Sequence, residues 1–205
     1  MSRRANCPNC GAAIDFRWSS AVQTTCPYCS SILVRHDVDL EKVGVVADLP
    51  ATPSPIQVAT EGVFRNKPFV VVGRIVYEYE LGGWNEWHLI FNDSSSGWLS
   101  DAQAQYAVSF LRANTGKLPP AGEIRRGDKL GWDDVLYEVT SLTRARYRGV
   151  EGELPFEYWD KSEVVFADLR TADGRYFGLT PAQYGSIALC VCGLWLWRRL
   201  PKAVS

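Results

Sequence analysis

Four thiols set as Cys7-x2-Cys10-x15-Cys26-x2-Cys29 constrain this chain more than any other feature in it. Each CxxC turn aims two sulfurs at one point, and fifteen intervening residues suffice for a hairpin to bring the turns together around a tetrahedral ion. The spacing therefore predicts a zinc ribbon over residues 1–36, with Cys7, Cys10, Cys26 and Cys29 as ligands of one structural Zn²⁺. A thioredoxin-type redox pair would need a single CxxC between a strand and a helix. The same sulfur cage can hold iron, so the spacing leaves zinc and iron both open. Four cysteines leave no open coordination position, so hydrolysis at the ion is not expected. Some thirty residues bury too little apolar surface to fold alone, and metal binding would supply folding free energy on the order of 10 kcal/mol. Gly11 suits the reversal after the first pair, and Ile14, Phe16 and Trp18 alternate as one face of a short strand. Phe16, Arg17, Trp18 and Tyr28 are the ribbon residues expected to face a partner.

Thiol chemistry of this kind belongs in a reducing compartment. The stretch "MSRRANCPNC" reaches the first pair without the apolar run of a signal peptide, so the expected location is the cytoplasm, at most peripheral to the inner face of the membrane. With 22 Lys and Arg against 23 Asp and Glu the net charge is -1, without the clustered positive field that nucleic-acid binding requires. Nucleic acid is not an expected partner.

The texture changes after the ribbon. Residues 37–60 carry Pro50, Pro53 and Pro55 and read as a linker, extended in its second half. Beyond it, from 61 to 184, turn signals interrupt runs rich in β-branched and aromatic residues, which predicts a mainly β domain. In "KPFVVVGRIVYEYELGGWNEWHLIF" the pair Gly82-Gly83 reads as a hairpin turn. Alternation then sends Trp87, Leu89 and Phe91 inward and Trp84, Glu86 and His88 outward. "GVFRNKPFVVVGRI" is echoed by "GDKLGWDDVLYEVTSL", and Leu99 to Gln103 by Leu179 to Gln183. The expected fold is thus a duplicated β-meander, with repeats at 61–112 and 122–184, forming two packed sheets or tandem SH3-like barrels.

The runs "WNEWHLIFNDSSSGWLS", "EGELP" from Glu151 to Pro155 and "DLRTADGRYFGL" from Asp168 resemble the bacterial domain-of-unknown-function family DUF4178. The resemblance extends to about Tyr184, and an amino-terminal ribbon fits it. It implies a mostly β, adaptor-like domain of unestablished activity, encoded near membrane-stress and polyamine-related proteins.

No catalytic constellation is recognisable. His36 and His88 are the only histidines, and neither has a nucleophile at a familiar spacing. Glu151 and Glu153 have Arg144, Arg146 and Arg148 upstream at period two, which predicts salt bridges across a loop. The sharper expectation groups Trp84, Glu86, His88, Glu151 and Glu153 in one ligand or partner patch, an acidic aromatic surface for a polyamine or basic peptide.

The tail at 185–205, "GSIALCVCGLWLWRRLPKAVS", has eleven mainly apolar residues from Ile187 to Trp197, about half of a bilayer span. It predicts a buried element, with Cys190 and Cys192 as free thiols, or else a membrane-surface anchor through Trp195, Trp197, Arg198, Arg199 and Lys202. Proteins of the resembled family continue past this point, so a truncated terminus is expected. Two functions follow: a non-enzymatic, zinc-binding adaptor or scaffold for a protein partner, in a membrane-stress context, or a β domain that binds or transforms a small cationic molecule.

Overall fold

The computed structural model describes residues 4–36, 39–46, 49, 54–103, 105–110, 119, 123–132, 134–158, 163–174, 176–180 and 188–190. Among them there is no α-helix. The chain opens with β1 (Arg4–Asn6) antiparallel to β2 (Ala13–Asp15), then β3 (Gln23–Thr25), β4 (Ser31–His36) and β5 (Asp39–Val45) in a three-stranded sheet. Strand β5 lies in the segment read as linker, and it pairs with β4 from His36↔Asp39 to Ser31↔Val45. Linker residue Ile56, further on, is buried among the core of the following domain, and Ser54 Oγ donates to Asp101 Oδ2 at 2.5 Å. The proline-rich run thus contributes side chains to the β domain at its far end.

Ten strands follow: β6 (Glu61–Phe64), β7 (Lys67–Tyr79), β8 (Gly82–Phe91), β9 (Ser96–Ala102), β10 (Gln105–Ser109), β11 (Lys129–Trp132), β12 (Val135–Gly152), β13 (Glu163–Arg170), β14 (Tyr176–Thr180) and β15 (Ala188–Cys190). They form one antiparallel sheet in the order β10-β9-β8-β7-β12-β13-β14-β15, with β6 on β7 and β11 on β12. The order carries the duplication. In each half a short strand leads into a long one, and a four-strand meander runs outward from it; β7 and β12 join the halves at the centre. Among the described residues the strands form no closed barrel, so the alternative of tandem SH3-like barrels does not hold.

Local chemistry explains the turns. Gly82 has φ +139 and opens β8 just after the turn, where a left-handed backbone suits glycine. The Asn92–Ser95 turn is closed by Asp93, whose Oδ1 accepts from Ser95 N at 3.1 Å. Its counterpart in the second half is closed by Thr171 Oγ1 donating to Asp173.

The sheet is covered on both faces. As alternation predicts, Trp87, Leu89 and Phe91 are buried, together with Phe69, Val71, Leu99 and Val108. In the second half Tyr137, Val139, Ala167 and Leu169 form the equivalent cluster. The opposite face, centred on Ile75, Tyr77, Ala145, Tyr147 and Val164, is packed by Leu154 and Tyr158, by Ile32 and Val43 from the ribbon's sheet and by Val46 just past it.

Arg144, Arg146 and Arg148 leave one face of β12 and are exposed, as their period-two spacing predicts. Their expected bridges to Glu151 and Glu153 do not form. Arg148 Nε instead lies 3.3 Å from Glu78 Oε2, because β12 pairs with β7 at that point. The expectations for residues 181–187 and 191–205, including Cys192, Trp195, Trp197, Arg198, Arg199 and Lys202, and for the side chain of Cys190, lie outside the described residues. Among the described residues, no helix is long and apolar enough to cross a membrane.

Candidate metal centre and aromatic recognition face

Both cysteine pairs sit on matching knuckles. After the first, Gly11 adopts φ +74 and its N–H returns to Cys7 O at 2.8 Å; after the second, Ser30 adopts φ +55 and donates to Cys26 O at 3.0 Å. The two turns bring all four Sγ atoms within 4.8 Å of one another. Cys7 and Cys29 are 3.7 Å apart, as are Cys10 and Cys26. Metal–sulfur bonds of about 2.3 Å give a tetrahedron edge of about 3.8 Å, so these residues fit a tetrathiolate ion. The Ser31 hydroxyl 3.2 Å from Cys29 Sγ, with the Ser31 backbone, pulls that thiol down, while burial and the neighbouring thiols push Cys10 up, so the four sulfurs share their protons as a coupled set. His36 is exposed and 3.0 Å from Glu41, away from the thiols' coordination.

The ribbon is bonded to the β domain through "EGELP". Gly152 has φ +67, and a Cβ there would lie 2.2 Å from Val72 O; a Cβ on Gly73 would lie 2.1 Å from Glu153 O. Two glycines therefore let the Glu153 backbone lie directly across β7. Beyond it the carboxylate accepts the N–H of Arg17 at 2.6 Å and of Trp18 at 2.8 Å. Leu154 N donates to Gln23 O, Val22 N donates to Leu154 O, and the Gln23 side chain bonds both backbone groups of Tyr158. Gln23 and Leu154 are wholly buried.

This arrangement redistributes the five residues expected to share a patch. His88 is buried, not outward-facing. Its Nδ1 lies 2.9 Å from Glu153 O and its Nε2 2.8 Å from Ser96 Oγ. Burial holds the ring near a pKa of about 4, so it is neutral; the carbonyl only accepts, which places the proton on Nδ1. Trp18 meets His88 edge-on and Trp98 stacks on it, each at 5.0 Å. Glu151 lies on the other face of the sheet, 3.2 Å from Arg74 Nη1, whose guanidinium also covers Trp87. Glu153 is taken up by the ribbon amides, and burial raises its pKa against their pull.

Trp84 and Glu86 do share a site, with neighbours that sequence reasoning missed. Glu86 Oε1 accepts from Trp84 Nε1 at 3.0 Å, and Ser100 Oγ lies astride the carboxylate, 2.9 and 2.8 Å from its two oxygens. Along β8 Glu86 falls between Trp84 and His88, while Ser100 and Trp98 stand opposite Glu86 and His88 on β9. Trp84 stacks on Tyr77 and meets Phe166 edge-on at 4.9 Å; Trp98 stacks on Phe156 at 5.8 Å. Glu86 thus lies beside a partly exposed aromatic cluster that includes Trp84 with Phe166 and Trp98 with Phe156, all four half-buried and packed on the core beneath. Burial, with a smaller contribution from the Asp168 charge, raises Glu86 to about 7. The shared parity of Trp98 and Ser100 was legible, but their register against β8 was not.

On the ribbon, Phe16 is buried and Trp18 is turned onto His88, whereas Arg17 and Tyr28 are exposed. The surface expected there is therefore reduced to those two.

No curated protein and no solved structure matches the chain. A family model described as a domain of unknown function (DUF4178) matches residues 57–187, more than half of the chain. That span takes in β6 to β14, with the EGELP clamp and both aromatic pairs, and the cysteine cluster precedes it. The chain belongs to the DUF4178 family.

Proposed function

We propose that this protein is a non-enzymatic binding module in which a zinc-held ribbon braces a β domain whose aromatic face docks a protein partner. One observation carries the reading: Trp84, Trp98, Phe156 and Phe166 remain half-buried around Glu86, while the ribbon covers the adjoining part of the same face. Aromatic side chains in such a position supply large contact area at low entropic cost. The groups that could act as acid and base support this rather than catalysis, since His88 has both ring nitrogens bonded and Glu151 and Glu153 are engaged elsewhere. Zinc fits the structural role, being redox-inert and indifferent to geometry beyond the ligands it is given.

The test is affinity capture from the native cell on the metal-loaded full chain. A partner should be retained by the wild type, be lost with Trp98→Ala, and bind again when purified. Equal retention by both would overturn the assignment of the face. Metal analysis of the native protein should return one zinc; iron would overturn the choice of ion.

A further inference from the structure

Among the described carboxylates, Glu86 is held by neutral side-chain donors, as is the more buried Asp101 with Ser54 and Asn85, whereas others meet cations. Glu151 lies on Arg74, Glu78 on Arg148, and Asp93 on Lys67. Glu153 is buried too, but two backbone N–H groups bond it and the charges of Arg17 and Arg35 act on it. Glu86 has a hydroxyl and an indole N–H as donors, and among the described residues no cation is in contact with it. The charged group that acts on it is another carboxylate, Asp168, one strand-step beyond Phe166 on the same face of β13. A desolvated carboxylate facing aromatic rings, with a second negative charge beside it, is electrostatically incomplete. Trp98 is stacked on His88 and Phe156 and Trp84 on Tyr77, and any π face these rings leave open favours the same sign of ligand charge as the carboxylates.

The hydrogen bonds also select the shape of the cation. A guanidinium grips a carboxylate by its fork, with two parallel N–H bonds to the two oxygens. Ser100 Oγ already straddles that fork, and Trp84 Nε1 holds Oε1 from the side. An ammonium is a compact point charge with rotatable donors and needs one open lone pair; its alkyl stem can lie along the rings.

We infer that the half-buried Glu86, with the half-buried rings of Trp84, Phe166, Trp98 and Phe156 beside it, forms a binding site for a protonated primary amine, presented as a lysine side chain of the partner. The inference rests on the reading of this face as the docking surface. It adds the chemistry of the residue that docks.

The experiment uses the metal-loaded full chain labelled with nitrogen-15, because the Trp84 indole N–H donates to Glu86 and reports on it directly. Nα-acetyl-lysine methylamide should move that cross-peak saturably, with a dissociation constant on the order of millimolar for one side chain. Nα-acetyl-norleucine methylamide, of similar length without the charge, should not move it. Glu86→Gln should weaken the lysine amide by about tenfold or more, and Phe156→Leu, which keeps the carboxylate, by several-fold. Phe156→Leu also keeps the test decisive if Glu86→Gln fails to fold. Equal shifts from the norleucine amide, no saturable shift, or undiminished binding by the variants would overturn the site. Binding of n-butylammonium but not of the lysine amide would overturn the lysine source in favour of a free amine. A captured partner that needs Trp98 yet binds equally after its lysines are acetylated would sink the inference and leave the docking face standing. Binding of the lysine amide when no partner is captured would do the reverse.

Discussion

Glu86 and His88 are two residues apart on one strand, and burial perturbs them in opposite senses. Glu86 is raised from 4.5 to about 7, so between those values the unfolded chain ionises and the folded one does not. Its contribution is fully present below about 4.5 and is lost as pH rises through about 7. His88 is lowered from 6.5 to about 4; the unfolded chain takes up a proton that the folded one refuses, so stability falls as pH drops from 6.5 through about 4. The two slopes oppose each other where they overlap. Glu86→Gln keeps an acceptor for Ser100 and Trp84 but cannot ionise, which unmasks the histidine slope alone. We predict equal stability of variant and wild type near pH 4.5, and a more stable variant at pH 8, by on the order of 3 kcal/mol, in urea denaturation at the two values. A variant no more stable at pH 8 would mean that the carboxylate is well solvated. A residue that costs stability at neutral pH is the kind expected at a binding site.

At the scale of elements, the sequence showed the parts more clearly than their contacts. The cysteine spacing located both knuckles, and Trp87, Leu89 and Phe91 alternated toward the core as expected. His88 was misread because alternation presumes one wet face, and this sheet is covered on both. Nothing local announces that cover: Glu153 meets Arg17 and Trp18 across about 135 positions of sequence. The glycines of β7 and of EGELP were the available sign, since each marks a close backbone approach. If the clamp holds the ribbon in place, Glu153→Ala leaves two N–H groups without their charged acceptor. The expected loss is about 3 kcal/mol in denaturant unfolding, with metal content unchanged and the Trp18 fluorescence shifted toward that of a solvated indole. Full stability with an unmoved spectrum would show that the Gln23–Leu154–Tyr158 bonds suffice alone.

Across the whole molecule the duplication places two equivalent cores, one per half, on one side of the sheet, and a central core on the other that neither half completes. The weak echo between the halves was legible because turn residues and strand order repeat. The central core was not, because it is finished by Ile32, Val43 and Val46 from a module of different origin in the sequence. Metal removal should therefore act beyond the ribbon. The ribbon's own hydrophobic cluster, Cys7, Ile14, Phe16, Ala21, Cys26 and Leu33, is too small to hold its fold without the ion. Once it opens, Ile75, Tyr77, Tyr147 and Val150 lose their cover, while Trp87, Leu89 and Leu99 keep theirs on the opposite face. Hydrogen exchange after chelation should then show lost protection at 23–45 and 154–158, reduced protection in the paired segments of β7 and β12, and retained protection between β8 and β9. Because Phe156 belongs to the released segment, the aromatic face should lose the ring stacked on Trp98, and the capture of the partner should fall with it. Uniform protection in all ten strands after chelation would mean that the β domain does not depend on the ribbon for its central core. Uniform loss would mean that the two modules unfold as one cooperative unit, with the tetrathiolate site holding the entire sheet.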